Sequence, residues 1–188
     1  MYTLHTTDAF VLAGFPEGES GKTYKLFTRD FGVVYARGQG VRELKSRNRY
    51  ALRTHMFCSV TLVRGKGGWR ITGAHEQWLV VALPARRVLR LVNTLFAQED
   101  PSAQLFDELH SACTYSWGTA EAVRARVEAI VVLRLLHTLG YVAQPTSALV
   151  ASVLSAECDH EKMVAISDGE HRDIVRTANV AIQHAHGR

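Results

Sequence analysis

Thr23-Tyr24-Lys25-Leu26-Phe27-Thr28, then Arg29-Asp30-Phe31, then Gly32-Val33-Val34-Tyr35-Ala36 read as strand, turn and strand. Aromatic and β-branched residues fill the flanks, and the Asp-Phe-Gly centre carries turn chemistry. The same pattern extends in both directions. Ala9-Phe10-Val11-Leu12-Ala13 lies upstream, and a longer run from Thr54 to Val63 lies downstream, followed by Trp69-Arg70-Ile71-Thr72-Gly73. Glycine-bearing turns punctuate the set at Gly18 to Gly21 and at Arg64-Gly65-Lys66-Gly67-Gly68, the latter a hairpin tip. Five short strands within about 75 residues suit a small closed or partly open barrel.

From Pro84 onward the period becomes helical. Val88, Leu91, Val92, Leu95 and Phe96 follow i, i+3, i+4, i+7, i+8, with Pro84 in a first turn that tolerates proline. A second helix starts near Pro101, and a third runs from about Thr119 to Leu139 with Gly140 as its stop. That third helix is apolar almost all round from Ile130 to Leu136, so it is expected at the centre of a bundle. Ser167-Asp168-Gly169-Glu170 reads as a capping box opening the last helix, and the stretch between Pro145 and Ile166 is helical but weakly patterned. The predicted fold is therefore α+β in two parts. An all-β OB-fold barrel over residues 1–78 precedes an all-α helical bundle over 79–188.

Charge divides the chain the same way. Of its 188 residues, Met1 to His75 carry 12 Lys and Arg against 5 Asp and Glu, and the remainder carries 10 against 13. A basic front module and a mildly acidic back module suggest different partners. Apolar content of 47% and charged content of 21% describe a globular protein, with no run long enough to cross a membrane and no secretory signal pattern. Three widely spaced cysteines (Cys58, Cys113, Cys158) give no disulfide framework, and a reducing cytoplasm is the expected setting.

The basic excess is concentrated from Ala36 to Arg53. Arg37, Arg42, Lys45, Arg47, Arg49 and Arg53 there face one carboxylate, Glu43. Phosphate is the natural counterpart, because its neutralisation releases condensed counterions, and the planar guanidinium suits it well. On extended chain, Arg47, Arg49 and Arg53 would share one face. Tyr50 offers a stacking platform for an unpaired base, or else is a core or hinge aromatic. Lys22 in the first turn, with Arg64 and Lys66 at the hairpin tip, would widen the positive surface.

Other motifs fail on spacing. Gly18-Glu19-Ser20-Gly21-Lys22-Thr23 resembles the end of a phosphate-binding loop, but Pro16 stands where the motif needs its first glycine, and a strand follows where it needs a helix. His55 with Cys58, His110 with Cys113, and Cys158 with His160 are isolated pairs, whereas structural zinc wants four ligands. No catalytic grouping stands out. No enzyme activity, metal or cofactor is expected.

Taken in order, several elements resemble the DNA repair and recombination mediator RecO. They are Thr7-x-Ala9-Phe10-Val11-Leu12, Gly18-Glu19-Ser20-x-Lys22, Leu26-Phe27-Thr28-Arg29-Asp30-Phe31-Gly32, Ala36-Arg37-Gly38-x-Gly40-Val41-Arg42, Lys45-Ser46-Arg47, Leu52 and Arg64-Gly65. A weaker likeness covers Leu133-Arg134-Leu135-Leu136-His137-Thr138-Leu139-Gly140-Tyr141. The resemblance implies an OB-fold followed by a helical domain, binding of single- and double-stranded DNA, annealing of complementary strands, and recombinase loading. It also implies a RecR-like partner, the acidic tail of single-stranded-DNA-binding protein as another, and a nucleoid-associated cytoplasmic location. The family's four-cysteine zinc cluster is not carried over, because only Cys158 lies beyond Tyr141.

On pattern, Lys22, Arg37, Arg42, Lys45, Arg47, Arg49, Tyr50, Arg53, Arg64 and Lys66 are the expected nucleic-acid-binding residues. Arg126, Arg134 and His137, at i, i+8 and i+11 of the third helix, form a polar stripe that would suit a partner's acidic tail, or would simply be that helix's solvated face. The competing function is a protein-interaction scaffold that does not itself touch DNA.

Overall fold

The computed structural model describes residues 3–39, 41, 46, 48–81, 83–96, 99, 101–115, 120–142, 147–155 and 160–186. Five strands come first: β1 (Leu4–Glu17), β2 (Gly21–Thr28), β3 (Gly32–Gly38), β4 (Met56–Gly65) and β5 (Gly68–Leu79). A short helix, α1 (Asn48–Ala51), lies between β3 and β4. Six helices follow: α2 (Leu83–Leu95), α3 (Ala103–Tyr115), α4 (Glu121–Thr138), α5 (Ala148–Leu154), α6 (His160–Ala165) and α7 (Asp168–His186). The chain forms two compact units. One takes residues 1–81 with 89–107, and the other takes 82–88 with 108–188.

In the first unit the strands pair in the order β1-β2-β3-β5-β4, and β4 returns to β1, closing a barrel. All pairings are antiparallel except β3 with β5, which is parallel and spans only Ala36 to Gly38. β1 serves two neighbours. Its first half pairs with β4 from Leu4 to Phe10, and its second half pairs with β2 from Ala9 to Glu17. An irregularity between Val11 and Ala13 bends it from one to the other. The hairpin tip forms as its glycines suggest: Gly65 pairs with Gly68, and φ of +95° at Gly68 suits a residue without a side chain.

Alternation sends Ala9, Val11, Tyr24, Leu26, Val34, Ala36, Met56, Cys58, Val60 and Leu62 into the barrel core. The opposite face is apolar as well, which explains why Ala9-Phe10-Val11-Leu12 reads as an unbroken run. Phe10 and Phe27 lie 5.3 and 5.4 Å from Phe106 between ring centroids, and Phe57 lies 4.9 Å from Phe10. Phe96 packs on Phe27 at 5.8 Å. The segments that carry Asn93, Phe96, Phe106 and Asp107 thus form an outer layer on part of the barrel. Lys25, almost wholly buried, donates to the carbonyl of Asn93 in the last turn of α2, where helix carbonyls lack internal partners and favour positive charge. Arg29 makes a two-pronged bond to Asp107, both contacts at 2.8 Å.

In the second unit α4 is central, as its apolar run suggests. It buries Val127, Ile130, Val131, Leu133, Leu135 and Leu136, and α7 lies against it with Ile174, Ala178 and Ala181 buried at helical spacing. Gly140, at φ +75°, ends α4, with the Tyr141 amide donating to Leu136. The capping box at α7 is complete: the Glu170 amide donates to Ser167 Oγ, and the Ser167 amide donates to Glu170 Oε2.

Truncating Phe106 to Ala removes the ring on which Phe10, Phe27 and Phe57 converge. A loss of about 3–5 kcal/mol is expected, read from the urea denaturation midpoint. The Asp168 carboxyl is held below its ordinary value of 3.8 chiefly by its hydrogen bond from Arg126, and Glu170 below 4.5 by its hydrogen bonds with Ser167. Depressed carboxyls stabilise above their unfolded values and lose that effect as pH falls through the folded ones. Amide exchange at the start of α7 should therefore accelerate, relative to its middle, as pH falls below these values.

Candidate nucleic-acid interface

Residues Asn48 to Ala51 coil into one helical turn, so the extended-chain alternation expected around Arg49 and Arg53 does not apply. The two arginines nevertheless come together, because they stand four residues apart on a turn continued by the Leu52 amide bonding to Asn48. Two contacts fix this segment. Ala51 and Leu52 are buried in the barrel core, and Asn48 Oδ1 accepts the Ala74 amide of β5. With the apolar residues turned inward, Arg49, Tyr50 and Arg53 are left outside. Tyr50 is 55% exposed, so it is not the core aromatic that its type allows.

Three adjoining depressions run across this end of the barrel unit. The first, about 550 Å³, is lined by Lys22, Arg49, Tyr50 and Arg53 over a floor of Gly14, Tyr24, Val41 and Leu52. The second, about 530 Å³, shares Lys22 and adds Arg37 and Arg70 beside the Gly18–Ser20 turn. The third, about 520 Å³, shares Arg37 and Arg70 and reaches Lys66 at the hairpin tip. Shared lining residues join all three into one surface. Six cations border it (Lys22, Arg37, Arg49, Arg53, Lys66, Arg70), against Glu17 and Glu19.

Arg70 is the site residue that sequence reasoning missed. Its signal was present: Trp69 and Ile71 are buried, so alternation turns Arg70 outward. The parallel ladder then places it directly beside Arg37. Like charges so placed repel each other and attract a common anion.

Some cations already have acidic neighbours. Glu17 pairs with Arg37 Nε at 2.9 Å and also accepts the Thr23 hydroxyl, and Glu76 lies 3.9 Å from Arg53. Arg64 stands apart from the three depressions, with Glu99 at 3.2 Å and the Trp69 ring 5.2 Å away, while Glu99 also accepts the Trp69 indole N–H. These pairs are well exposed, with side-chain exposures from 42 to 63%, and such pairs contribute about 0–1 kcal/mol. Among the described residues, Lys22, Arg49, Lys66 and Arg70 make no ion pair. Arg42, Lys45 and Arg47 lie outside the described residues.

The expected stripe on α4 is different in kind. Arg134 is buried, donating from Nε to the Val153 carbonyl at 2.8 Å and from a terminal nitrogen to that of Ser155 at 3.0 Å, with Glu108 at 3.1 Å. It closes the C-terminal end of α5 and is not part of a solvated face. Arg126 bonds the Val164 carbonyl and Asp168, joining the end of α6 to the start of α7. Only His137 of the three is exposed. Burial lifts the Cys58 and Cys113 thiols to about 12, as packing residues rather than nucleophiles; Cys158 lies outside the described residues. Among the described residues no cluster offers three metal ligands, and no helix is long and apolar enough to cross a membrane. Lys22 and Thr23 sit at the start of β2, not at a helix N-terminus.

Compared with protein-family models and with curated protein sequences, the chain matches none.

Arg134→Met should lower stability by about 3 kcal/mol, since it strips a partly buried acid and two helix-end carbonyls of their guanidinium. Thermal denaturation would register that loss, and binding of nucleic acid by the folded variant should be unchanged.

Proposed function

We propose that this chain binds nucleic acid through its barrel and acts as a RecO-like strand-annealing mediator. The observation that carries the reading is the joining of Lys22, Arg49, Arg53, Arg37, Arg70 and Lys66 along one run of depressions. The barrel is read as an OB-fold. In that fold the β2–β3 face, the β1–β2 loop and the β4–β5 loop take oligonucleotides, and here the Gly18–Ser20 turn and the Lys66–Gly67 tip border the cationic run. The sequence resemblance supports the same assignment.

Annealing makes and breaks no covalent bond. The cations lower the repulsion between two phosphate chains, and because phosphate contacts carry no sequence information, base edges stay available for pairing. Tyr50, exposed among Lys22, Arg49 and Arg53, provides a π-face for an unpaired base. A phosphate reaching Arg37 or Arg53 displaces Glu17 or Glu76, a small cost for an exposed pair. The RecR-like partner and the acidic tail of single-stranded-DNA-binding protein belong to the proposal through the resemblance alone. Arg126 and Arg134 are not assigned to them, because both hold the helical unit together.

The test is fluorescence anisotropy with a labelled single strand across a salt series. If all six cations engage phosphate, log K should fall with log salt at a slope of about −4. In Lys22→Glu/Arg70→Glu the slope should shrink by more than 1 and affinity should fall alike for unrelated sequences. Binding insensitive to salt, or undiminished in that variant, would refute the proposal.

A further inference from the structure

We propose that the β1–β2 ribbon carries a second site for unpaired nucleic acid, on the side opposite Tyr50. The inference rests on the nucleic-acid reading above and extends it. Beyond the bend in β1, side chains alternate across the ribbon. Gly14, Lys22 and Tyr24 face the depression that holds Arg49, Tyr50 and Arg53. Phe15 is registered with Thr23, and Thr23 with Arg37, so these three share the other side. One row further along, Ala13 is registered with Lys25 and Lys25 with Tyr35.

The outer layer of the barrel stops just short of this patch. Phe27 is covered by Phe96 and Phe106, and Lys25 by the Asn93 carbonyl. Past Lys25 no ring of the outer layer covers the sheet among the described residues. Phe15 is 50% exposed and Tyr35 48%, at opposite corners of a three-strand patch.

Two half-exposed rings on a bare sheet face would suit an apolar protein segment equally well, were it not for the charge around them. Arg37 stands in the Phe15–Thr23 row with its side chain 63% exposed, and Arg70 stands beside it on β5. Rings flanked by guanidinium groups match a polyanion with stackable bases. A duplex keeps its bases stacked within itself, so the rings select unpaired strands. Glu17, which holds Arg37 and Thr23 on this side, is the group an arriving phosphate displaces. Lys22, Arg49 and Arg53 thus flank Tyr50 on one side of the ribbon, while Arg37 and Arg70 flank Phe15 and Tyr35 on the other, and two unpaired strands bound to one chain divide the cations of the run between them.

The experiment uses the full chain and an oligothymidylate of about six nucleotides, a length within one OB-fold's reach and unable to pair with itself. Native mass spectrometry and isothermal titration should give two oligonucleotides per wild-type chain. Phe15→Ala/Tyr35→Ala and Arg49→Ala/Tyr50→Ala should each retain one, and either double variant should slow annealing of complementary strands at least tenfold. Duplex affinity of the Phe15/Tyr35 variant should stay within twofold of wild type. Phe15→Leu/Tyr35→Leu, which keeps the patch apolar without rings, should lose the second oligonucleotide as the alanine variant does. One oligonucleotide per wild-type chain, or unchanged stoichiometry in the alanine variant, overturns the second site while leaving the first intact. Retention by the leucine variant overturns stacking and points to an apolar protein partner. A wild-type chain that takes no oligonucleotide overturns both sites and the function proposed above.

Discussion

Phe10, Phe27 and Phe57 project from the outside of the barrel, and their convergence on Phe106 governs much of the first unit. Each lies on a strand whose alternate residues fill the barrel core, so these strands are buried on both faces. A small barrel of five strands encloses little volume. Burying aromatic area on its outer face as well adds to the hydrophobic driving force at roughly 25 cal/mol per Å². The same layer sets a boundary. It ends at Lys25, beyond which Phe15 and Tyr35 are half-exposed.

Packing also explains why the cations gather where they do. Ala51 and Leu52 enter the core, and Asn48 ties the short helix to β5. These contacts turn Arg49, Tyr50 and Arg53 toward Lys22 on the ribbon. The β3–β5 ladder brings Arg70 beside Arg37, a placement that costs repulsion and is partly offset by Glu17. Exposed acids next to exposed arginines do not cancel the field of such a surface. They are screened by salt and held weakly.

Arginine has another role in the helical unit. Arg134 and Arg126 sit on the central helix, and their donors meet carbonyls at the ends of α5 and α6. Helix ends leave carbonyls without internal partners, and a guanidinium with five donors in a fixed fork satisfies several at once. One residue type is thus left exposed on the barrel and used for internal closure in the helical unit.

How much could be read beforehand varies by element. The five strands, the glycine hairpin tip, the long central helix with its Gly140 stop and the capping box at Ser167 were legible, because each rests on a local rule of alternation, turn chemistry or capping. The 14-residue reach of β1 was not, since a strand that bends to serve two partners carries the same local pattern as a shorter one. Arg134 was misread as solvated: its spacing marked a polar stripe, and only the arrival of α5 and of Glu108 made that one member of the stripe interior. Arg70 went unnoticed because alternation signals only that it faces outward, whereas its neighbour Arg37 is set by strand register. Sequence alone determined most of the elements, the excess of positive charge and its confinement to the front of the chain, all of them properties of neighbouring residues. Which cations meet, which acids face them and which aromatic rings stay bare were decided by strand register and by the end of the outer layer, which depend on residues far apart in the chain.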